Sequence, residues 1–271
     1  MKDLGTLEGK LLLFGGVYSN LQALEKLMKL AGEEGVEPSN IICTGDIVGY
    51  CAQPEETVNL FREWGVHAIA GNVEQNLREG GLDCGCEFKE GGRCESFAKN
   101  WYPYAQVNLS QGSVDWMETL PLNLSFHYHG KRVVVVHGSY YFISEYIFRS
   151  TPWSIKQKNF EDTKADIIVA GHCGLPFSDE QNDKLWLNPG VIGMPANDGT
   201  PRVWYAIMDK VNGDIYFEHR SFTFNADYTH DLMMRKHLPD AYAETLLTGL
   251  WDNNEILPRE ETERQGEAIE F

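Results

Sequence analysis

The stretch Ile41-Ile-Cys-Thr-Gly-Asp46-Ile-Val-Gly-Tyr50 decides the fold of this chain of 271 residues. It begins with an apolar run that suits a short strand, and the run leads into a Gly-Asp turn. Apolar residues that follow one another without alternation are typical of a strand covered on both faces, as in a parallel sheet. The stretch therefore predicts an α/β protein in which Asp46 lies where a buried strand ends.

Four other segments repeat this arrangement of an apolar run followed by a turn with glycine. They are Leu11–Phe14, Ala68–Ala70, Val133–Val136 and Ile167–Ala170. Sites in α/β sheets lie in the loops beyond the carboxyl ends of the strands. A carboxylate, an amide oxygen and two imidazoles in these loops suit a divalent transition metal ion, and the residues that carry them are Asp46, Asn72, His137 and His172.

The order of these motifs carries a resemblance to a known family. Gly45-Asp46, Gly71-Asn72, His137-Gly138 and Gly171-His172 follow one another as in the calcineurin-like metallophosphoesterases, and the chain resembles in particular their small bacterial phosphodiesterase branch. Such motifs are specific when they occur together in the right order. The resemblance spans roughly residues 10 to 220. It implies an α/β fold of two packed mixed β-sheets flanked by helices, the metallophosphoesterase four-layer sandwich.

The chain also departs from the family pattern. In the family, metal one has an Asp and a His after the first strand and the last His of Gly-His-x-His; the matching positions are Gly16, Tyr18 and Gly174. The histidine that assists the leaving group corresponds to Val73. The metal-two ligands remain, so the resemblance implies one ion rather than two. This ion would be manganese, iron, zinc or nickel, held by the residues that match the family's ligands, Asp46, Asn72, His137 and His172.

Two further residues are possible accessories to this site. Tyr18 stands where the family has a histidine, and a steric plug or hydrogen-bond donor is the favoured interpretation; a phenolate ligand is the alternative. Glu74 lies close to Asn72 in sequence. We expect it to be a solvated glutamate at a helix start, while a replacement ligand or a general acid/base is the alternative.

The cysteines offer a possible second metal or thiol site. Cys84, Cys86 and Cys94 lie in a Cys/Gly-rich insertion, residues 80–95, and Cys51 follows the Asp46 turn. Three or four thiolates suit zinc, with bonds of about 2.3 Å. Their spacing differs from that of a standard zinc knuckle, so bound metal, a disulfide and free thiols all stay open.

The composition limits which binding partners and which cellular compartment we expect. The net charge of −17 argues against a nucleic-acid backbone or an anionic membrane as the main partner. A small phosphorylated substrate or phosphate stays compatible, because a metal ion reverses the local field. The sequence has neither a signal pattern nor an apolar run of transmembrane length, so we expect a cytoplasmic protein. Nothing in the sequence indicates an oligomeric state.

The chain divides by character into two parts. We predict a metallophosphoesterase-like domain over residues 1–225, with a polar lead-in before the first strand. Residues 226–271 are expected to form a helical extension, with helices over Tyr228–Lys236 and Asp240–Leu250. The acidic tail that follows has few apolar residues, and we expect part of it to be mobile.

The expected activity follows from the resemblance to the family and from the family residues that this chain lacks. It implies a divergent phosphoesterase that hydrolyses a phosphodiester or phosphomonoester with metal-activated water. We expect slow or narrow hydrolysis, because a missing proton donor typically costs ~10²–10⁴ in rate. The alternative is a catalytically silent protein that binds metal, phosphate or a nucleotide on the same fold, since the fold alone does not decide function.

Overall fold

The computed structural model describes residues 1–271. Its strands are β1 Lys2–Leu7, β2 Leu11–Phe14, β3 Ile41–Cys43, β4 His67–Ala68, β5 Leu124–Tyr128, β6 Lys131–Val135, β7 Ile167–Val169, β8 Phe177–Gln181, β9 Lys184–Asn188, β10 Val203–Val211 and β11 Asp214–Phe222. Its helices are α1 Leu21–Glu33, α2 Pro54–Trp64, α3 Asn72–Glu79, α4 Arg93–Asn108, α5 Gln111–Glu118, α6 Trp153–Thr163, α7 Ala226–Arg235, α8 Asp240–Thr248 and α9 Arg259–Thr262.

The strands form two mixed sheets. The six-stranded sheet has the order β1-β5-β6-β7-β9-β8, and the five-stranded sheet has the order β11-β10-β2-β3-β4. Both contain parallel and antiparallel pairs. The predicted fold class, two packed mixed β-sheets flanked by helices, is confirmed.

The side chains of β2 show why this strand has no polar face. Leu11 and Leu13 pack between the two sheets with residues of β5, β6 and β7. Leu12 and Phe14 point to the other side and pack under the helices with Leu24 and Val58. Because successive side chains of a strand alternate between faces, a strand with apolar partners on both sides reads as a continuous apolar run.

The carboxyl ends of the parallel strands meet at one end of the sandwich. In the five-stranded sheet these are the ends of β2, β3 and β4, and in the other sheet the ends of β6, β7 and β9. A bridge between Gly15 and Val191 connects the two sets. The Gly15 amide donates a hydrogen bond to the Gly190 carbonyl at 2.9 Å. The loops of both sheets therefore share one edge of the molecule.

Three strand predictions needed correction. The expected polar lead-in contains β1, which pairs in parallel with β5 at the edge of its sheet. Its side chains are mostly exposed, so it lacks the apolar signal of a strand. β8, which was not predicted, is the other edge of that sheet and also faces solvent in part. The strand expected over His67–Ala70 ends at Ala68.

The C-terminal part of the chain packs on the rest. α7 and α8 form as predicted, and Met233 and Leu246 join the same apolar core as Leu24. The boundary at residue 225 stays a prediction, and this core extends across it. The tail, expected to be partly mobile, packs against the protein, where the Phe271 ring stacks on His219 with centroids 4.0 Å apart. No helix combines the length and apolar character that a membrane crossing requires.

Candidate metal centre

Four polar side chains from separate strand ends come together at the shared edge. Asp46 follows β3, Asn72 is the first residue of α3 after β4, and His137 and His172 follow β6 and β7. All four are buried. Potential ligand atoms of Asp46, His137 and His172 lie within 4.8 Å of one another. The residues that the sequence singled out thus form one cluster, to which each sheet contributes two.

His137 is at the centre of this cluster. Its Nδ1 lies 2.6 Å from the Thr44 carbonyl oxygen, and because a carbonyl only accepts, Nδ1 carries the proton. The neutral ring therefore has its lone pair on Nε2. That Nε2 lies 3.0 Å from Asn72 Oδ1, 3.3 Å from Asp46 Oδ2 and 3.1 Å from His172 Nδ1.

The orientation of Asn72 is fixed by its own hydrogen bonds. Its Nδ2 donates to the Cys84 carbonyl at 2.8 Å and to Cys86 Sγ at 3.1 Å, so its Oδ1 faces His137. A carboxylate oxygen, an amide oxygen and two imidazole nitrogens, all able to accept, therefore converge on one point. Ligand atoms around a tetrahedral ion with bonds of about 2.0–2.2 Å lie roughly 3.4 Å apart. The donor set and its spacing fit a divalent cation.

The Asp46 carboxylate attracts positive charge to this point. Burial raises the pKa of Asp46, but the neighbouring His137 outweighs this effect and the net shift is downward. Burial lowers the pKa of His137, but the Asp46 carboxylate outweighs it, so that pKa is raised. Burial and the nearby His137 lower the pKa of His172 to about 3. His172 is therefore neutral at physiological pH and keeps a lone pair for a ligand.

The backbone at the cluster adopts an uncommon conformation. Tyr18, Asp46 and His172 have φ angles of 54°, 56° and 61°, in the left-handed region that residues with a side chain seldom occupy. Residues held in this region cost free energy and concentrate at functional sites. The turns after β2, β3 and β7 are thus shaped to direct these side chains into the site.

Glu74 differs from the solvated residue that was expected. It is fully buried, and its Oε2 accepts hydrogen bonds from the amides of Asp46 and Gly71, each at 2.9 Å. Its Oε1 accepts from the Val48 amide at 2.9 Å. Burial, followed by repulsion from Asp46, raises its pKa to about 7. Glu74 therefore ties together the turns that carry Asp46 and Asn72, and it is not part of the ligand cluster.

Comparison with known proteins identifies the family. The model of the calcineurin-like phosphoesterase superfamily domain matches residues 10–213. The chain belongs to the calcineurin-like phosphoesterase superfamily. An uncharacterized protein of Methanocaldococcus jannaschii is 28% identical over 251 residues, which are 86% of this chain and 95% of that protein.

Two solved structures share the fold of this chain. A hypothetical protein from Pyrococcus horikoshii aligns with a TM-score of 0.73 at 18% identity, covering 89% of this chain and 99% of that one. A metallophosphoesterase from Sphaerobacter thermophilus aligns with a TM-score of 0.70 at 24% identity, covering 90% and 100%. These likenesses extend over almost the whole length of both proteins.

Other side chains pack against Gly16 and Gly174, two positions that match metal-one ligands of the family. A Cβ at Gly16 would overlap the Tyr18 ring, so the glycine makes room for the phenol. The Tyr18 ring also packs on Tyr50, with centroids 4.6 Å apart. At Gly174, a Cβ would contact the Trp251 ring at 3.4 Å. The Tyr18 ring therefore takes up the space next to Gly16, and its role as a plug stays a prediction.

The cysteines do not assemble into the second metal site that was considered. Cys84 and Cys86 lie together with their Sγ atoms 2.6 Å apart. The other two are apart from them: Cys94 donates a hydrogen bond to Asn253, and Cys51 lies against the Gly193 carbonyl. Asp46, His137 and His172 are the one group of three His, Cys, Asp or Glu residues placed to hold a metal. Burial raises the pKa of the Cys94 thiol to about 11 and that of Cys51 further, which disfavours the thiolate that zinc needs.

Several residues at the cluster were not predicted from the sequence. A cleft opens from Asp46 and His172, and its walls include aromatic side chains from distant parts of the chain, namely Tyr50, Phe88, Tyr146, Tyr242 and Trp251. Phe88 comes from the insertion, and Tyr242 and Trp251 come from the C-terminal extension. The aromatic content of those segments was the available signal, but their position over the site depends on tertiary packing.

Proposed function

We propose that this protein is a divergent metal-dependent phosphoesterase that works with one ion. The observation that carries the proposal is the convergence of three potential ligand atoms on a fourth, His137 Nε2, in a buried cluster that lines a cleft. When His172 carries its proton on Nε2, its Nδ1 adds a fourth lone pair to this group. The ligands in the proposal are Asp46, Asn72, His137 and His172. Their mixture of nitrogen and oxygen suits manganese, iron, zinc or nickel.

The chain's own residues have defined tasks in this proposal. A divalent ion, when bound, polarises a phosphoryl oxygen and lowers the pKa of water. Thr44 holds the His137 ring in the tautomer whose Nε2 is free to bind, and Glu74 fixes the turn that presents Asp46. Such supporting partners typically change metal affinity about 10–100-fold.

In this proposal, no imidazole assists the departure of the leaving group. Val73 occupies the position of the family's histidine, and its apolar side chain is buried. Esters whose leaving group departs without a proton therefore suit this site best, because loss of a general acid typically costs ~10²–10⁴ in rate. We expect slow hydrolysis that favours phenolate leaving groups.

Metal content and turnover of one chromogenic substrate test the proposal. The protein is purified without chelator, its metal is counted by mass spectrometry, and hydrolysis of bis(4-nitrophenyl) phosphate is measured. We expect about one ion per chain and turnover that the Asp46→Ala variant loses. Asp115→Ala, at an exposed residue of α5, is the matched control and should behave like the native protein. Two ions per chain would contradict the one-ion form.

A second candidate function is binding without turnover. The observation that favours it is the Tyr18 ring, which occupies the space beside the cluster. A site with one ion can still hold phosphate or a nucleotide. Metal bound at the cluster, together with turnover no faster than that of Asp46→Ala, would support this function over catalysis.

The proposed ligand in either case is a small phosphorylated molecule or phosphate. With a net charge of −17, we do not expect the protein to bind a nucleic-acid backbone or an anionic membrane. A cytoplasmic location remains our prediction from the sequence.

A further inference from the structure

The cleft beside the ligand cluster is more apolar than hydrolysis of a small phosphate ester requires. It is partly open to solvent, and 12 of its 18 lining residues are hydrophobic. Ligand sites in proteins are typically lined by hydrophobic and aromatic side chains with a few polar groups. The lining therefore suits an organic group next to the phosphate.

Aromatic rings dominate the walls of this cleft. The Tyr50 ring lies 4.6 Å from the Tyr18 ring and 4.5 Å from the Tyr242 ring, measured between centroids. The Tyr146 ring lies 4.3 Å from His172, one of the proposed ligands. Aromatic groups favour stacked or edge-on contacts with other rings. The walls can therefore make more favourable contacts with an aromatic ligand than with an aliphatic chain.

Trp251 connects the aromatic walls to the ligand cluster. Its backbone amide donates to Asn197 Oδ1 and its indole Nε1 donates to the Pro195 carbonyl, both at 2.8 Å. The ring lies over Gly174, two residues from His172. Because two hydrogen bonds orient this indole, it is a preorganised wall of the cleft.

The charges of the cleft restrict the ligand further. No lysine or arginine lines it, and its carboxylates are Asp46 and Asp252. Asp252 is paired with Arg93, whose Nη2 lies 2.7 Å from Asp252 Oδ1. A divalent ion held by the Asp46 carboxylate and three neutral ligands would give the ligand cluster one net positive charge. This charge balances the single negative charge of a phosphodiester, whereas a phosphomonoester carries about −1.5 to −2 near pH 7.

Uncharged donors are available for the phosphate and its substituent. The hydroxyl groups of Tyr18, Tyr50 and Tyr242, which line the cleft, make no hydrogen bond within the protein. A phenol is protonated at neutral pH, so all three hydroxyl groups are uncharged donors. Neutral donors of this kind suit a monoanion.

We propose that the substrate is a monoanionic phosphodiester with an aromatic substituent, and that the insertion and the C-terminal extension form the subsite for this ring. This proposal rests on the phosphoesterase function proposed above and adds a substrate class to it. The insertion contributes Phe88 to the subsite, and the extension contributes Tyr242 and Trp251. A phenyl ring and a nucleobase are two sources of the same flat aromatic chemistry.

Three substrates with one leaving group test the subsite. They are phenyl 4-nitrophenyl phosphate, methyl 4-nitrophenyl phosphate and 4-nitrophenyl phosphate. We expect kcat/KM for the phenyl diester to exceed that for the methyl diester at least about tenfold, a ratio that one good apolar contact can supply. The monoester should be the poorest of the three. A nucleoside 4-nitrophenyl phosphate tells whether a base is preferred to phenyl.

Variants of the walls show whether the cleft causes this preference. Trp251→Ala should bring the phenyl-to-methyl ratio close to that of the uncatalysed reactions, and Trp251→Phe should keep most of it. Phe88→Ala is a second wall variant that does not depend on Trp251. Phe142→Ala removes an aromatic side chain that is 68% exposed outside the cleft and is the matched control.

The outcomes separate this proposal from the proposed function. Equal kcat/KM for the two diesters, both above Asp46→Ala, would overturn the aromatic subsite and leave the phosphoesterase standing. If no ester is hydrolysed, the subsite is tested by measuring the binding of diphenyl phosphate and dimethyl phosphate by calorimetry. Binding of the diphenyl ester at least about tenfold tighter, lost in Trp251→Ala, supports the subsite. Equal binding of the two overturns it.

Discussion

At the scale of single residues, two departures from the family pattern depend on each other. Gly16 and Tyr18 replace an Asp and a His, and the Tyr18 ring occupies the space that a side chain at Gly16 would need. An acid at residue 16 therefore does not fit while Tyr18 is present. In the proposed one-ion site, the missing ligands are therefore accompanied by a repacked interior.

Substitution of Gly16 tests this dependence. Gly16→Ala should lower the free energy of unfolding by about 1–3 kcal/mol, because the added methyl overpacks the Tyr18 ring. In a Tyr18→Ala background the same change should cost under ~0.5 kcal/mol. Urea denaturation measures both. Gly112→Ala, whose methyl would meet only Ser110 Oγ at 3.8 Å, is the control. Equal costs in the two backgrounds would refute the dependence.

Glu74 is the second residue with a specific consequence. Because its carboxylate accepts from three backbone amides, Glu74→Gln would place an amide against donors and leave one or more unsatisfied. We expect a loss of about 1–3 kcal/mol in the free energy of unfolding. Metal affinity, measured by competition with a chromophoric chelator, should fall about 10–100-fold.

The matched control for Glu74 lies on the same helix. Glu79→Gln changes an exposed carboxylate at the end of α3 and should leave both quantities unchanged. If Glu74→Gln lowers stability without changing metal affinity, its role is structural and does not extend to positioning Asp46.

At the scale of elements, the C-terminal tail seals a buried histidine. His219, on β11, places its Nε2 2.8 Å from the Asn188 carbonyl, and Phe271 stacks on its ring. Burial lowers its pKa from 6.5 to about 4. The unfolded chain therefore binds a proton at a higher pH than the folded protein does. Stability from this residue is present above pH ~6.5 and is lost as the pH falls toward 4.

This linkage predicts a pH effect that one substitution removes. Between pH ~7.5 and ~5, His219 alone should cost the native protein about 2 kcal/mol of unfolding free energy. His219→Gln keeps a donor for the Asn188 carbonyl and should show a correspondingly smaller loss over the same range. His127→Gln, at an exposed position of β5, is the control. Identical pH profiles for the native protein and His219→Gln would contradict the linkage.

At the scale of the whole molecule, the ligand cluster spans both sheets. Asp46 and Asn72 follow strands of the five-stranded sheet, while His137 and His172 follow strands of the six-stranded sheet. The hydrogen bond from His137 Nδ1 to the Thr44 carbonyl crosses the same boundary. An ion held by these residues would therefore link the two sheets and stabilise the entire fold.

Metal removal tests this coupling. At a free metal concentration of 100 times Kd, one ion stabilises a protein by about 2.7 kcal/mol, which corresponds to a Tm increase of roughly 5–10 °C for a domain of this size. A chelator should reverse this increase in the native protein. Asp46→Asn should show no metal-dependent shift. A Tm that is the same with metal and with chelator would contradict an ion at the cluster.

The sequence by itself determined the fold class and the four clustered residues. Uninterrupted apolar runs such as Leu11–Phe14 indicated strands covered on both faces, and polar residues at their ends indicated a shared edge. These are local signals, readable because burial of both faces leaves no polar positions within the strand. The order of the motifs added the family, which the match over residues 10–213 confirmed.

Only the tertiary structure decided the surroundings of those residues. Glu74 lies near the start of α3, where an acidic residue is common at a solvated surface, yet the packing of the Asp46 turn buries it. The edge strand β1 lacks an apolar pattern because solvent covers much of it. Its pairing with β5 joins backbone groups that are far apart in the sequence. The aromatic cleft combines Tyr18, Phe88 and Trp251. Contacts between such distant residues depend on how the chain closes on itself, and no local pattern encodes them.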